Sequence, residues 1–456
     1  MVGSLLVPQM IAPITDPVHP ALVEGPSRTM HTAPSASPAR TLAQKLIAKA
    51  AGQAHVRVGD IVNCKVDLAM FHDSSGPRRL KPMLEELGAS IWDKSKVVLV
   101  MDHYVPEQDE DSRRIVRIAR DWAREQQLPH VYDSIGICHV VLPQKGHIRP
   151  GMFCVGGDSH SPTGGAFGAY MFGIGSTEML GVMVTGELWV RVPRTLRMEW
   201  QNRLSPGLTA KDMMLHMIGR FGMNGGQYQA VEFCGEAVAA LSMPERMTMS
   251  NMSAEMGAQA GLIAPDETTR AWLATAGVAN VDSSPWFTDP DAEAQTEIFD
   301  AASLAPQVAA PHSPANTRGV QDFAGVAVDV AYIGACTGAK IDDLRAAASV
   351  LRGERVARGM RLMVAPASLQ DQAMAESEGV MQVLRDAGAE VFATACGACS
   401  GYGNAMPDSA TVIATTARNF KGRMGSPNTQ VYLASPYTVA ASALRGFISD
   451  PREVLA

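Results

Sequence analysis

VDVAYIGACTGAKIDDLR, residues 328–345, passes from an apolar stretch through a small-residue turn into a segment with helical spacing. AEVFATACGACSGYGNAMPD, residues 389–408, repeats that order. Both read as strand, tight turn, helix, with Cys336 in the first turn and Cys396 and Cys399 in the second. Working outward, KVVLVMDH (96–103) and MFCVGGDSHS (152–161) place Asp102, His103, Asp158 and His160 just past the ends of apolar strands. Short apolar strands alternating with helices mark an α/β protein with doubly wound parallel sheets, covered on both faces. In such sheets ligands bind outside the carboxyl ends of the strands, so chemistry from three segments can meet in one crevice.

Three thiolates are one short of closing a cluster or a zinc site, and a metal held by them keeps an open coordination position for Lewis-acid chemistry. Taken alone, the CxxC spacing of Cys396 and Cys399 also suits a redox pair or a structural zinc site. The other cysteines, Cys64, Cys138, Cys154 and Cys234, read as buried small hydrophobes. Seven scattered cysteines form no disulfide framework, which points to a reducing compartment and, most simply, the cytoplasm.

The cysteine segments share the chain with MDHYVP (101–106), GICHVVLPQKGHIRPG (136–151), GGDSHSPTGGAFGAYMFGIGSTE (156–178), ERMTMSNMSAEMGAQAGLIAPDETT (245–269) and TARNFKGRMG (416–425). With these motifs in this order, the sequence from about residue 41 to its end resembles the large subunit of the aconitase and isopropylmalate isomerase family. The resemblance implies a three-domain α/β architecture around a central cluster cleft, with segments 41–206, 207–325 and 326–456 as the domains. It implies that Cys336, Cys396 and Cys399 hold a [4Fe–4S] cluster with one iron not ligated by protein, the iron that meets the substrate. An electron-transfer cluster would normally be closed by four protein ligands.

Dehydrating a malate-type acid needs an acid for the departing hydroxyl and cations for the carboxylates. A histidine backed by a carboxylate suits the acid role, because the partner sets the tautomer and raises the basicity of the ring. The resemblance implies three such pairs: Asp102 with His103, His139 with Asp158, and His160 with Glu255. The first pair is expected to donate to the leaving hydroxyl. Arg418 and Arg423 match the positions that hold substrate carboxylates, where a guanidinium makes two parallel hydrogen bonds that lysine cannot reproduce. Ser159 and His72 are expected to touch substrate, and Asn251 to face the cluster side. The implied activity is a hydro-lyase isomerising 2-isopropylmalate to 3-isopropylmalate, a step of leucine biosynthesis.

Single-chain members of the family carry a further domain that supplies the serine taking the carbon-bound proton. The present sequence ends at Ala456, right after the third segment, so the expectation is a heterodimer completed by a separate small subunit. Two departures from the family pattern stand out: Gly338 and Ala417 occupy positions that are usually Asn. They open a second reading, a hydratase of another substituted malate or maleate of the methylmalate, dimethylmalate, homocitrate or aconitate type. From different classes come an iron-sensing RNA-binding homologue and a zinc protein with structural cysteines.

Composition bounds these readings. At 456 residues the prior is about three domains of ~150 residues. A net charge of −7, without a basic patch interleaved with aromatics, argues against nucleic acid or an anionic membrane surface as partner. No run of 18 apolar residues suggests a membrane span. Residues 1–40 are rich in Pro, Ala and Ser, with Arg28 and Arg40 against Asp16 and Glu24, and read as a disordered or mis-assigned extension, with Met30 an alternative start. The segment begins without a basic stretch of the secretory kind. The Pro-rich segment 283–318 reads as a surface loop.

Overall fold

The computed structural model describes residues 39–403 and 406–455; most of the expected N-terminal extension lies outside the described residues. The Thr41 hydroxyl accepts from the Gln44 N–H while the Gln44 side chain accepts from Thr41 N, a reciprocal cap that starts the helix Leu42–Ala50. Leu42, Leu46, Ile47 and Ala50 are buried on its inner side, as the periodicity predicts.

The α/β reading holds, with three large sheets. Five parallel strands run in the spatial order His130–Asp133, Val97–Met101, Leu68–His72, Phe153–Gly156, Tyr170–Gly173. Val97–Met101 is buried along its whole length, which is why it reads as an unbroken apolar run rather than an alternating one. A second parallel sheet orders Ala260–Leu262, Ala230–Cys234, Thr195–Gln201, Gln295–Asp300. The third has seven strands: Thr317–Gly319, Gln307–Ala309, Gln430–Ala434, Thr411–Ala414, Val330–Ile333, Arg361–Val364, Glu390–Val391. Its first two strands are antiparallel and the remainder parallel.

Two local expectations need correction. The segment 283–318 is no mere surface loop: Gln295–Asp300 forms the edge of the second sheet, and Gln307–Ala309 is buried inside the third. Its prolines flank the strands instead of interrupting them, so the composition hides two pairing stretches. Around Cys396 and Cys399 the expected helix is a single 3-10 turn, Gly397–Ser400. Gly397, Gly401 and Gly403 all take positive φ there, and that backbone cannot continue a helix. Around Cys336 the strand–turn–helix reading is right, with strand Val330–Ile333 and helix Ile341–Leu351.

The order of strands places the functional segments. In the five-stranded sheet the chain departs in opposite directions from the adjacent strands Leu68–His72 and Phe153–Gly156, and in the seven-stranded sheet from Val330–Ile333 and Thr411–Ala414. At such reversals the connections leave to opposite sides and open a crevice. His72 and Asp158 follow the first pair of strands, Cys336 and Arg418 the second.

Candidate active site

One cleft of about 330 Å³ is lined by His72, His103, His139, Asp158, Ser159, His160, Cys336, Cys396, Cys399, Arg418 and Arg423, contributed by the ends of both sheets. On the first side, the Asp102 carboxylate is fully buried and is met by His103 Nδ1 at 2.6 Å and by the Cys138 backbone N–H at 2.7 Å. Burial opposes charge on both groups, but their mutual attraction wins: Asp102 is held down to about 2 and His103 is raised to about 9. With Nδ1 engaged by the carboxylate, the Nε2 of His103 is the atom left for the cleft.

His139 Nε2 lies 2.7 Å from Asp158, and the His160 backbone N–H donates to the same oxygen at 2.8 Å. Despite burial, His139 holds Asp158 well below the usual carboxylate range. His160 Nε2 lies 3.0 Å from Glu255 Oε1, which also accepts from Arg418 Nε at 2.6 Å. All three expected histidine–carboxylate pairs are therefore within hydrogen-bonding distance. His72 stacks on His103 with ring centroids 3.8 Å apart and planes 11° from parallel. Its Nδ1 accepts from the Ser74 and Ser75 backbone N–H groups, so the Nε2 carries the proton. That nitrogen is buried without a hydrogen-bond partner among the described residues, 3.5 Å from Asp158 Oδ2.

Across the cleft, Ala335 takes a left-handed φ of 68° and turns the chain so that Cys336 reaches the pocket. Asn251 Nδ2 donates to the Cys336 sulfur at 3.2 Å and to Thr163 Oγ1 at 2.8 Å. The Cys396 N–H donates to the Asp102 carbonyl at 2.8 Å, which ties the CxxC turn to the strand end that carries His103. Hydrogen bonding with Cys396 and the nearby Arg423 guanidinium pull the Cys399 thiol down to about 5 against burial. Arg418 Nη1 donates to Ser159 at 2.9 Å, whereas Arg423 Nε is buried with no partner among the described residues.

Sequence reading missed several contributors. Asp73, fully buried, accepts from the N–H groups of His103 at 3.1 Å and Tyr104 at 2.7 Å, and so fixes the turn that presents His103. Its place directly after His72 in MFHDSSGP was the available signal. Tyr104 and Tyr402 also line the cleft, with rings 5.0 Å apart. Of the four cysteines read as buried hydrophobes, Cys64, Cys138 and Cys154 are buried, but Cys234 is half-buried and its sulfur accepts from Arg197 at 3.4 Å.

The departure at residue 338 has a steric basis. A Cβ there would stand 2.1 Å from the Thr415 Cβ, so this chain has room for glycine alone. Ala417 is buried in the hydrophobic core.

The profile of the family described as "Aconitase family (aconitate hydratase)" matches residues 44–446. The 3-isopropylmalate dehydratase large subunit 1 of Methanopyrus kandleri is 43% identical over 420 residues, 91% of this chain and 100% of that protein. The 3-isopropylmalate dehydratase large subunit of Desulfatibacillum aliphaticivorans is 40% identical over 91% of this chain and 99% of its own length. Among solved structures, the holo-form of aconitase X from Thermococcus kodakaraensis superposes with a TM-score of 0.49 at 12% identity, covering 84% of this chain and 90% of that one.

Proposed function

This chain belongs to the aconitase family, and on that premise we propose that it is the large subunit of an iron–sulfur hydro-lyase acting on a substituted malate, with the isomerisation of 2-isopropylmalate to 3-isopropylmalate as its reaction. Relatives matched over almost their entire length bear that name, which supports both the substrate class and a small-subunit partner. Among the described residues no helix is long and apolar enough to cross a membrane.

The three thiols suit an iron–sulfur cluster better than a zinc ion. Sulfurs on one tetrahedral zinc, at ~2.3 Å each, lie within ~4 Å of one another. Among the described residues, the groups of three or more ligand atoms within 4.8 Å of one another are His72, Asp73, Asp102 and His103, and His139, Asp158 and His160; the three cysteines form no such set. Cys336, Cys396 and Cys399 would hold three irons of a [4Fe–4S] cluster and leave the fourth without a protein ligand. When bound, the cluster supplies a Lewis acid at that iron.

The base for the carbon-bound proton would come from the small subunit, and the chain's own residues perform the remaining steps. His103, protonated at neutral pH through Asp102, delivers a proton from Nε2 to the leaving hydroxyl, and in the reverse direction takes one from water. Arg423, with unused donors, grips one substrate carboxylate; Arg418 and Ser159 serve the other, and the Nε2–H of His72 donates to the same ligand. His139 with Asp158 and His160 with Glu255 orient the wall against which the substrate lies.

One observation carries this reading: a carboxylate-backed histidine, three thiols and two arginines face a single cleft. The test is anaerobic co-expression with the candidate small subunit, cluster reconstitution, and a panel of malates followed by absorbance of the unsaturated acid. Turnover of isopropylmalates by the pair and not by the chain alone is expected. Full turnover without the partner refutes the split site, and preference for a methylmalate, dimethylmalate, homocitrate or aconitate-type acid reassigns the substrate. Holoprotein without inorganic sulfide overturns the whole reading.

A further inference from the structure

Lys211 lies in the first turn of the helix Ala210–Phe221, is 1% exposed, and takes no part in the chemistry above. Its Nζ donates to the carbonyl oxygens of Thr415 at 2.6 Å and Thr416 at 2.8 Å, and meets the Thr337 hydroxyl at 3.4 Å. That hydroxyl spends its own proton on the Thr415 carbonyl at 2.9 Å, so it faces Lys211 as an acceptor. Three acceptors around one nitrogen are the partner set of an ammonium; a neutral amine has too few protons to serve them.

A second buried lysine, Lys340, ends the turn that carries Cys336 and donates to the Cys336 carbonyl at 3.0 Å, but the Asp343 carboxylate at 2.8 Å neutralises it. Lys211 has no ion-pair partner among the described residues; the carboxylate whose charge reaches it, Asp343, is already paired with Lys340. The group it touches, Thr337, directly follows Cys336, and Thr415 and Thr416 lead into Arg418. Burying an unpaired cation is unfavourable unless other charge nearby offsets it. Cys336, Cys396 and Cys399, as thiolates holding a cluster, would be such charge, and the first and last of them reach Lys211 electrostatically.

We propose that Lys211 is a positioning residue that also acts electrostatically. Its fixed charge raises the reduction potential of the cluster held by Cys336, Cys396 and Cys399, while its hydrogen bonds tie the Cys336 turn to the Arg418 loop. The inference rests on the cluster reading above. A cation in a medium of low dielectric stabilises the reduced, more negative cluster, and net charge is one of the levers that set such potentials.

The test compares reconstituted wild-type holoprotein with Lys211→Met, Lys211→Arg and Thr337→Val. Iron and acid-labile sulfide are measured first; a wild-type chain lacking sulfide fails the cluster reading itself. The one-electron midpoint potential is then read by dithionite titration with electron paramagnetic resonance. Lys211→Met is expected to shift the potential to more negative values, with Lys211→Arg restoring much of the shift. Thr337→Val keeps the charge and loses two hydrogen bonds, the one from Lys211 and the one to the Thr415 carbonyl, so its potential should stay at the wild-type value while its melting temperature falls. A normal cluster with an unshifted potential in Lys211→Met overturns the proposal, as does an equal shift in Thr337→Val. Should Lys211→Met not fold, Lys211→Gln, which keeps an amide donor, is read in its place. If neither neutral variant folds, the charge serves the fold alone and the electronic role is overturned.

Discussion

The two walls of the cleft are prepared to different degrees. On the wall built from the five-stranded sheet every functional histidine is locked: His103 by Asp102, His139 by Asp158, His160 by Glu255, and His72 by two backbone N–H groups. On the opposite wall Cys396 and Cys399 sit in a glycine-rich single turn, and Arg423 keeps a buried nitrogen unpaired. The first wall is organised mainly by the chain itself, because paired charges satisfy one another in place, with the His72 Nε2 left over for a ligand. The second carries the Arg423 nitrogen with no partner among the described residues and three thiols that the proposed cluster would complete. On the proposed reading, the geometry of the cleft is divided between preorganisation by hydrogen bonds and organisation by what binds.

The sharpest way to break this contrast is Cys336→Ser. If the second wall is completed by a cluster, the variant should lose iron and sulfide and at least ~10³-fold in turnover, while circular dichroism of the fold stays unchanged. Next comes His103→Ala on the first wall, expected to lower kcat by about 10²–10⁴-fold with cluster content intact. A variant that turns over at the wild-type rate would contradict the assignment of His103 as acid. Arg423→Lys tests the unpaired donors: losing the bidentate grip costs about 1.5–3 kcal/mol, or roughly 10–100-fold in kcat/KM.

The pH profile is a gentler probe of the first wall. His103 donates only when protonated, so kcat/KM should hold through neutrality and fall as pH rises through about 9. Removing the carboxylate in Asp102→Asn should move that alkaline limb to lower pH; an unmoved limb would assign it to another group. The smallest effect expected is from Gly338→Ala, which forces a Cβ against Thr415 and should lower stability by about 1–3 kcal/mol, read by denaturant melting.

Much of this was legible in the residue order. Apolar runs ending in Asp-His, Asp-Ser-His and Cys announced strand ends with chemistry on them, because a strand buried on both faces must be apolar and its polar groups must lie beyond its end. Less legible were the pairing stretches Gln295–Asp300 and Gln307–Ala309, set among prolines and polar residues that look like loop. The CxxC turn likewise promised a helix that its glycines do not sustain.

The sequence by itself determined which side chains stand at strand ends and which types of chemistry they can do, since local patterning and residue type are properties of short stretches. Tertiary structure alone decided that Glu255 meets both His160 and Arg418, that Thr415 leaves space for nothing larger than Gly338, and that Lys211 carries an unpaired charge to the back of the Cys336 turn. Each of these joins residues far apart in the chain, and such contacts follow from how sheets and helices are stacked, which no local pattern encodes.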